Sequence, residues 1–128
     1  MTIFGGETTV TVKGSGTGGR CRELALATAL AIGEAGSGHL LVAGTDGVDH
    51  LPDAAGAFVE PETLARARRH GLDPRAALDA NDSGGFFEAL GDAFAPGSTG
   101  THVGDIAFVL KPAEGPADEA PRPASSAG

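Results

Sequence analysis

Residues 5–20 read GGETTVTVKGSGTGGR, an alternating strand pattern followed by a glycine-rich loop. Valines alternate with threonines, which predicts a strand with two different faces. The glycines after Lys13 interrupt regular structure and permit a close approach of the backbone to a ligand. The alanine-rich segment that begins at Arg20 predicts a helix whose first N–H groups face the loop. A helix N-terminus beside an arginine predicts an anion site, formed by Gly16, Gly18, Gly19 and Arg20.

Two nucleotide-binding motifs are similar to this loop. The spacing G-x-G-x-x-G from Gly14 matches the dinucleotide fingerprint, with Asp46 as a candidate ribose-binding acid. The first strand of a dinucleotide-binding fold is normally apolar on both faces, whereas this strand alternates. A P-loop needs Lys and then Ser or Thr where this chain has Arg20 and Cys21, so that motif is rejected. The loop can also be a plain connection that binds nothing.

The composition indicates one acidic domain. Nine basic and 17 acidic side chains give the 128 residues a net charge of -8, which disfavours binding to nucleic acid. The sequence shows neither a signal peptide nor an apolar run of membrane-spanning length, so we expect a cytoplasmic protein with no membrane partner. Cys21 is the only cysteine and the four histidines lack ligand spacing, so neither a disulfide nor a zinc site is expected.

Strand and helix patterns alternate along the chain. A buried strand over residues 39–44 leads into a turn that carries Thr45, Asp46 and Asp49. In sheets flanked by helices, ligands collect at the carboxyl ends of the strands. Further patterns predict a short extended piece at 53–59, helices at 61–70, 74–80 and 86–90, a glycine-threonine loop at 96–104 and a last strand at 105–110.

These elements predict a single α/β domain over residues 1–110, with a mixed β-sheet flanked by helices. Residues 111–128 are rich in Pro and Ala and contain no aromatic or branched aliphatic side chain. Such a segment buries too little apolar surface to offset the entropy of ordering, which predicts a disordered carboxyl-terminal tail.

Short motifs follow one another in a fixed order between residues 5 and 110. They are GGETTV at 5–10, GGR at 18–20 with Glu23, GTDG at 44–47 with Asp49, DAAGA at 53–57, NDS at 81–83 with FFE at 86–88, and TGT at 99–101 with Val103 and Asp105. Together they resemble the MOFRL domain, the carboxyl-terminal domain of the bacterial and archaeal glycerate 2-kinases. Some members of that family are labelled hydroxypyruvate reductases.

The resemblance implies a kinase that uses ATP and Mg²⁺ to transfer the γ-phosphoryl group to a hydroxyl of glycerate. It also implies an active site in a cleft between two domains, of which this chain supplies one wall. A separately encoded amino-terminal kinase domain is then the expected partner, and the chain alone is expected to be inactive. Two alternatives stay open: a nonenzymatic remnant or small-anion-binding module, and a component of an NAD(P)-dependent hydroxypyruvate reductase.

The resemblance makes Arg20 and Asp46 the candidate catalytic residues. Arg20 could neutralise phosphoryl oxygens or clamp the glycerate carboxylate, or it could simply pair with Glu7 or Glu23. Asp46 could orient the substrate hydroxyl, and Asp46 with Asp49 could hold magnesium, although aspartate also favours such turns for structural reasons. The candidates for substrate or phosphate binding are Gly16, Gly18, Gly19, Thr45, Thr99 and Thr101.

The chain departs from the family pattern close to these candidates. Cys21 and Arg22 stand where the family usually has Asn and Gln, and His50 stands where it usually has Gly. His102 and Gly104 each replace an Asn. The substitutions remove amide side chains that we expect to face the cleft or to brace its loops.

Overall fold

Helices and strands alternate along the chain, as the sequence predicts. A computed structural model describes residues 1–7, 9–34, 36–50 and 53–111. Its elements are β1 (Thr2–Gly6), α1 (Arg20–Ile32), β2 (His39–Gly44), β3 (Gly56–Val59), α2 (Thr63–Arg69), α3 (Pro74–Asp79), α4 (Ser83–Leu90), β4 (Ala93–Phe94) and β5 (Asp105–Leu110). The predicted α/β domain is confirmed, and the predicted tail lies outside the described residues except for Lys111. None of the described helices is long and apolar enough to cross a membrane.

The five strands form one sheet in the order β1-β5-β2-β3-β4, and every described pairing is antiparallel. The sequence pattern favoured a mixed sheet. Strands β1 and β2 do run parallel to each other, because both are antiparallel to β5. However, β5 lies between them and pairs with both, so these two parallel strands share no hydrogen bonds. The strand that comes last in the described chain therefore lies inside the sheet, between β1 and β2.

The strand predicted from the alternation of Val and Thr is not formed. The first strand lies earlier in the chain, and residues 9–19, here named the strap, have no regular structure. The side chain of Asn81 replaces strand pairing in this region. Its Oδ1 accepts hydrogen bonds from the backbone N–H groups of Lys13 and Gly14, and its Nδ2 donates to the carbonyl of Thr11.

The glycines of the strap are required by packing against the turn between α3 and α4. The N–H of Gly16 donates to the carbonyl of Ala80 at 2.9 Å, so it is committed inside the protein. A Cβ on Gly14 would overlap the backbone of Ala80, and one on Gly16 would overlap Asp82. The glycine-rich sequence therefore forms a close-packed seam on the side that faces the turn between α3 and α4.

The helices pack on one face of the sheet. Helix α1 lies across β2 and β3, and the other helices pack beside it. Leu26 of α1, Val42 of β2 and Phe87 of α4 are at most 2% exposed and form the centre of the core. Alanines on α1 and β3 keep the two layers close. The described chain places no helix on the opposite face, which we name the outer face.

The side chain of Asp73 caps the N-terminus of α3. Asp73 precedes Pro74, and its Oδ1 accepts hydrogen bonds from the N–H groups of Arg75 and Ala76 at 3.1 Å each. Proline suits the first turn because its missing N–H would have had no partner within the helix. The cap fixes where α3 begins, and so it fixes the turn that holds the strap.

Replacement of Gly14 by Ala should destabilise the protein, because the new methyl group would meet the Ala80 backbone. We expect the free energy of unfolding to fall by about 1–3 kcal/mol, the usual cost of overpacking. Gly5→Ala is the matched control, since nothing lies within 4 Å of the position its Cβ would take. Urea denaturation should show a change within about 0.5 kcal/mol for the control. Equal stability of the two variants would contradict the close-packed seam.

Candidate functional site

The N-terminus of α1 is occupied by the carboxylate of Asp49. Its Oδ1 and Oδ2 accept hydrogen bonds at 2.9 Å from the backbone N–H groups of Cys21 and Arg22, respectively. The Asp49 side chain is fully buried, and a Cβ on Gly19 would overlap it. An internal anion thus takes these two helix N–H groups, which the sequence analysis had assigned to a ligand.

Arg22 holds the same carboxylate from inside the protein. Its Nε donates to Asp49 Oδ2 at 3.1 Å, and its Nη2 donates to the carbonyls of Asp49 and Gly18 at 2.8 Å and 3.1 Å. Nη1 lies 3.3 Å from Asp53. The Arg22 side chain is 1% exposed, so the charge of the guanidinium is balanced almost entirely within the protein. This arrangement argues against the predicted role of Asp49 as a magnesium ligand.

Arg20, unlike Arg22, pairs with Asp105. The distances are 2.5 Å from Nε to Oδ2 and 3.1 Å from Nη2 to Oδ1, and Nη2 also lies 3.3 Å from Glu7. The hydrogen bond to Asp105 raises the pKa of Arg20, although partial burial opposes the increase. Of the two pairings that the sequence left open, the one with Glu7 is present. Glu23 instead accepts a hydrogen bond from Asn81.

The turn after β2 is held by the glycine-threonine loop. Thr45 Oγ1 donates to the carbonyl of Gly104 at 2.7 Å and accepts from the N–H of Val103 at 2.8 Å. Thr99 Oγ1 donates to the carbonyl of Thr45 at 2.6 Å. Thr45 and Thr99 therefore have structural hydrogen bonds, whereas Thr101 is exposed.

Asp46 stands at the accessible side of this turn. Its Oδ1 accepts from the N–H of Val48 at 3.0 Å, and its Oδ2 lies 3.5 Å from His102 Nδ1. A Cβ on Gly44 would lie 3.2 Å from Asp46 Oδ1 and 3.5 Å from Asp105 Oδ1, so the two carboxylates approach each other over this glycine. Because Asp105 binds Arg20, the structure brings the two predicted catalytic residues to one edge of the sheet.

An open cleft of about 410 Å³ lies beside Arg20. Its lining combines apolar strap residues with Gly18, Gly19, Glu23 and His50. His50 is exposed and has a φ of 73°, in the left-handed region that favours glycine. That backbone angle accounts for the glycine usual at this position in the resembling family. In this chain it places an imidazole at the cleft.

The positions of the acidic residues determine whether this part of the protein could hold a metal ion. Among the described residues, no group of three or more His, Cys, Asp or Glu side chains could hold one. Asp46 is 36% exposed, whereas Asp49 is buried and Asp105 is paired with Arg20. The chain therefore fits magnesium only as an ion that other ligands, such as nucleotide phosphates, hold together with Asp46.

The chain folds as an α/β domain. At one edge of its sheet, strand ends and loops bring charged residues together beside an open cleft. The MOFRL family model matches residues 1–105, and the chain belongs to the MOFRL family. It is 45% identical over 108 residues to the D-glycerate 2-kinase of Thermotoga maritima, covering 84% of this chain and 26% of that protein. It is 44% identical over 110 residues to human glycerate kinase, covering 80% and 21%.

The fold of this chain matches part of the solved structure of a relative. The chain superposes on the crystal structure of the Thermotoga maritima glycerate kinase with a TM-score of 0.81 and 44% identity, covering 85% of this chain and 26% of that one. Two relatives from Agrobacterium vitis, 47% and 43% identical, have hydroxypyruvate reductase in their names. The chain thus spans about a quarter of the length of these bacterial relatives.

Loss of the Asp49 carboxylate should severely destabilise the fold. Asp49→Ala leaves the buried Arg22 and two helix N–H groups without their partner, at an expected cost of about 3–5 kcal/mol. Asp53→Ala is the control, because Asp53 contacts the same guanidinium but is 47% exposed; there we expect about 1 kcal/mol or less. Thermal unfolding followed by circular dichroism compares them. A stable Asp49→Ala protein would show that the pair is dispensable.

Stability should also fall at alkaline pH because of Cys21. Burial, followed by the nearby Asp49 and Asp105 carboxylates, raises the pKa of this thiol above its ordinary 9.0. The unfolded chain then loses the thiol proton at a lower pH than the folded protein does, so this stabilisation is complete below pH 9 and is lost above it. The expected slope is about 1.4 kcal/mol per pH unit. Urea denaturation between pH 8 and 10.5 should show a shallower decline for Cys21→Ala; identical slopes would exclude the thiol as the cause.

Proposed function

We propose that this chain supplies one wall of an interdomain active site that phosphorylates glycerate with ATP. The observation that carries the proposal is the placement of Asp46 and of the Arg20–Asp105 pair at the same edge of the sheet, beside Gly44, in a member of a family that includes glycerate kinases. A single domain offers such a reaction only one side of the cleft. The larger segment found in the relatives would supply the second side and complete the positioning of charge.

Arg20 suits a role in binding anions. Its hydrogen bonds to described residues use Nε and Nη2, which leaves the outer donor Nη1 for a ligand oxygen. The bidentate contact with Asp105 fixes the plane of the guanidinium before a ligand arrives. Fixed cations stabilise the charge that spreads over phosphoryl oxygens during transfer, and the same fork can bind a carboxylate.

Asp46 suits either of two roles near that cation. When bound, Mg²⁺ neutralises charge on the nucleotide phosphates, and it commonly needs only one or two protein carboxylates. Asp46 would be one of them. Alternatively, Asp46 orients the glycerate hydroxyl that accepts the phosphoryl group. In this proposal Asp49 has no contact with substrate or metal, because its oxygens are used inside the protein.

The remaining candidate residues divide into those that a ligand can reach and those that support the turn or the strap. Gly18 and Gly19 line the cleft, and Thr101 is exposed on the loop that supports Asp46. Gly16 is packed against Asp82, and Thr45 and Thr99 brace the turn, so we propose supporting roles for these three. The same packing of the glycines argues against a dinucleotide site, and hence against the reductase alternative. A cytoplasmic location stays a prediction from the sequence.

The test is glycerate-dependent formation of ADP. The 128-residue chain is assayed alone and after co-expression with the larger segment of the Thermotoga maritima D-glycerate 2-kinase that it does not match. We expect no activity from the chain alone and activity from the assembled pair. Arg20→Ala should lower kcat of the pair by about 100-fold or more, which is typical for the loss of a positioned charge donor.

Arg68→Ala is the matched control, because Arg68 is 64% exposed on α2 and pairs only with Glu34 among the described residues. Its kcat should equal that of the unmodified pair. Full activity of the Arg20→Ala pair would remove Arg20 from the mechanism. A folded pair that forms no ADP would favour the nonenzymatic alternative.

A further inference from the structure

Two neighbouring rows of residues on the outer face of the sheet are apolar. In the strand register, Phe58 of β3, Leu41 of β2, Phe108 of β5 and Ile3 of β1 stand side by side in one row across four strands. A second row contains Phe94, Ala43 and Ile106, with glycines between and beyond them. Phe58 and Phe94 also pack edge to face, with ring centroids 5.3 Å apart.

This pattern differs from that of an antiparallel sheet with one face in water. Such a sheet normally alternates apolar residues toward the core with polar residues toward solvent. Here the row of Leu40, Val59 and Val109 faces the helices, and the neighbouring row on the outer face is apolar too. Ile3 is 56% exposed, Phe58 44% and Leu110 54%. A contiguous apolar surface of this kind marks a site of contact with another protein surface.

We propose that the outer face docks an apolar surface of the larger glycerate kinase segment that this chain does not match. The inference rests on the proposed function, because it takes the same partner. The relatives supply the occupant: the chain covers about a quarter of their length, so the remaining three quarters is available to cover the sheet.

The position of the outer face favours this occupant. The row that contains Ala43 and Ile106 is one residue from Gly44 and Asp105, which lie next to Asp46 and Arg20 respectively. A segment seated on the sheet can therefore reach the edge at which the proposed site needs its second wall. A second copy of the chain is a poorer occupant, because each copy carries a net charge of -8 and leaves that edge without a second wall.

Co-purification with the larger Thermotoga maritima segment tests the docking surface. The tagged 128-residue chain is co-expressed with that segment, and the dissociation constant of the pair is then measured. Phe58→Glu should raise the dissociation constant at least tenfold, because it places a charge in the apolar row that the partner would cover. Ile32→Glu is the matched control: Ile32 is 50% exposed but lies at the end of α1, in the helix layer, and its variant should bind like the original chain.

Each outcome supports or overturns the proposal. Thermal unfolding of the free chain shows whether Phe58→Glu folds; if it does not, Ile3→Glu on the edge strand tests the same row. Equal binding by the outer-face and Ile32 variants overturns the docking surface. Failure of the unmodified chain to co-purify overturns it as well. A free chain that sediments as a dimer, and becomes a monomer on Phe58→Glu, assigns the face to a second copy and overturns the partner proposed here.

The docking surface and the activity can fail separately. A pair that Phe58→Glu disrupts but that forms no ADP with glycerate supports the docking surface and contradicts the proposed function. A pair that phosphorylates glycerate and binds equally well after Phe58→Glu supports the proposed function and contradicts the docking surface.

Discussion

The buried carboxylate of Asp49 is the contact on which the rest of this domain depends. It closes the N-terminus of α1, binds the Arg22 guanidinium and fills the space that Gly19 leaves open. Through Arg22 it is connected to the carbonyl of Gly18, so the strap, α1 and the turn after β2 share one network. Removing a partner from such a network leaves buried charge behind, which makes the three segments cooperative in stability.

Two arginines at the start of α1 have different surroundings: Arg22 is buried in an ion pair, and Arg20 lies in the proposed ligand site. Residues two positions apart on a helix point in different directions. Arg22 therefore turns into the protein, where its charge is neutralised, while Arg20 turns to the edge of the sheet beside the cleft. The inner ion pair fixes the direction of the outer one. The geometry offered to an anion thus depends on a network that the anion need not touch.

Much of the fold could be predicted from local patterns. The start of α1 at Arg20, the strands β2 and β5 and the Asp73 cap all follow from residues close in sequence. The position of β1 could not be predicted, because the alternation of Val10 and Val12 is equally compatible with a strap that a distant asparagine holds. Glycine patterns have the same ambiguity: a glycine lets a ligand approach closely, and it lets the protein's own backbone do so. The motif order could identify the family, but not which acidic residue is buried.

The candidate site, too, could be predicted only in part from local sequence patterns. The sequence predicts Arg20 and Asp46 as site residues, because charged residues after a loop and after a strand are common in sites. The roles of Asp105 and Arg22 depend on contacts 85 and 27 residues away in the chain, which no local pattern reveals. Asp105 and Arg22 are visible in the sequence, but the residues that they contact are not.

The position of β5 between β1 and β2 also constrains how the domain can form during translation. Strand β1 is made first, yet its described pairing is with β5, which is made last among the elements. About a hundred residues must therefore leave the ribosome before β1 can be enclosed in the sheet. At about 5–20 residues per second, the earliest apolar strand waits for seconds without a partner. Ile3 and Phe4 therefore have no partner strand in the described sheet until β5 has been synthesised, and the sheet cannot be completed before then.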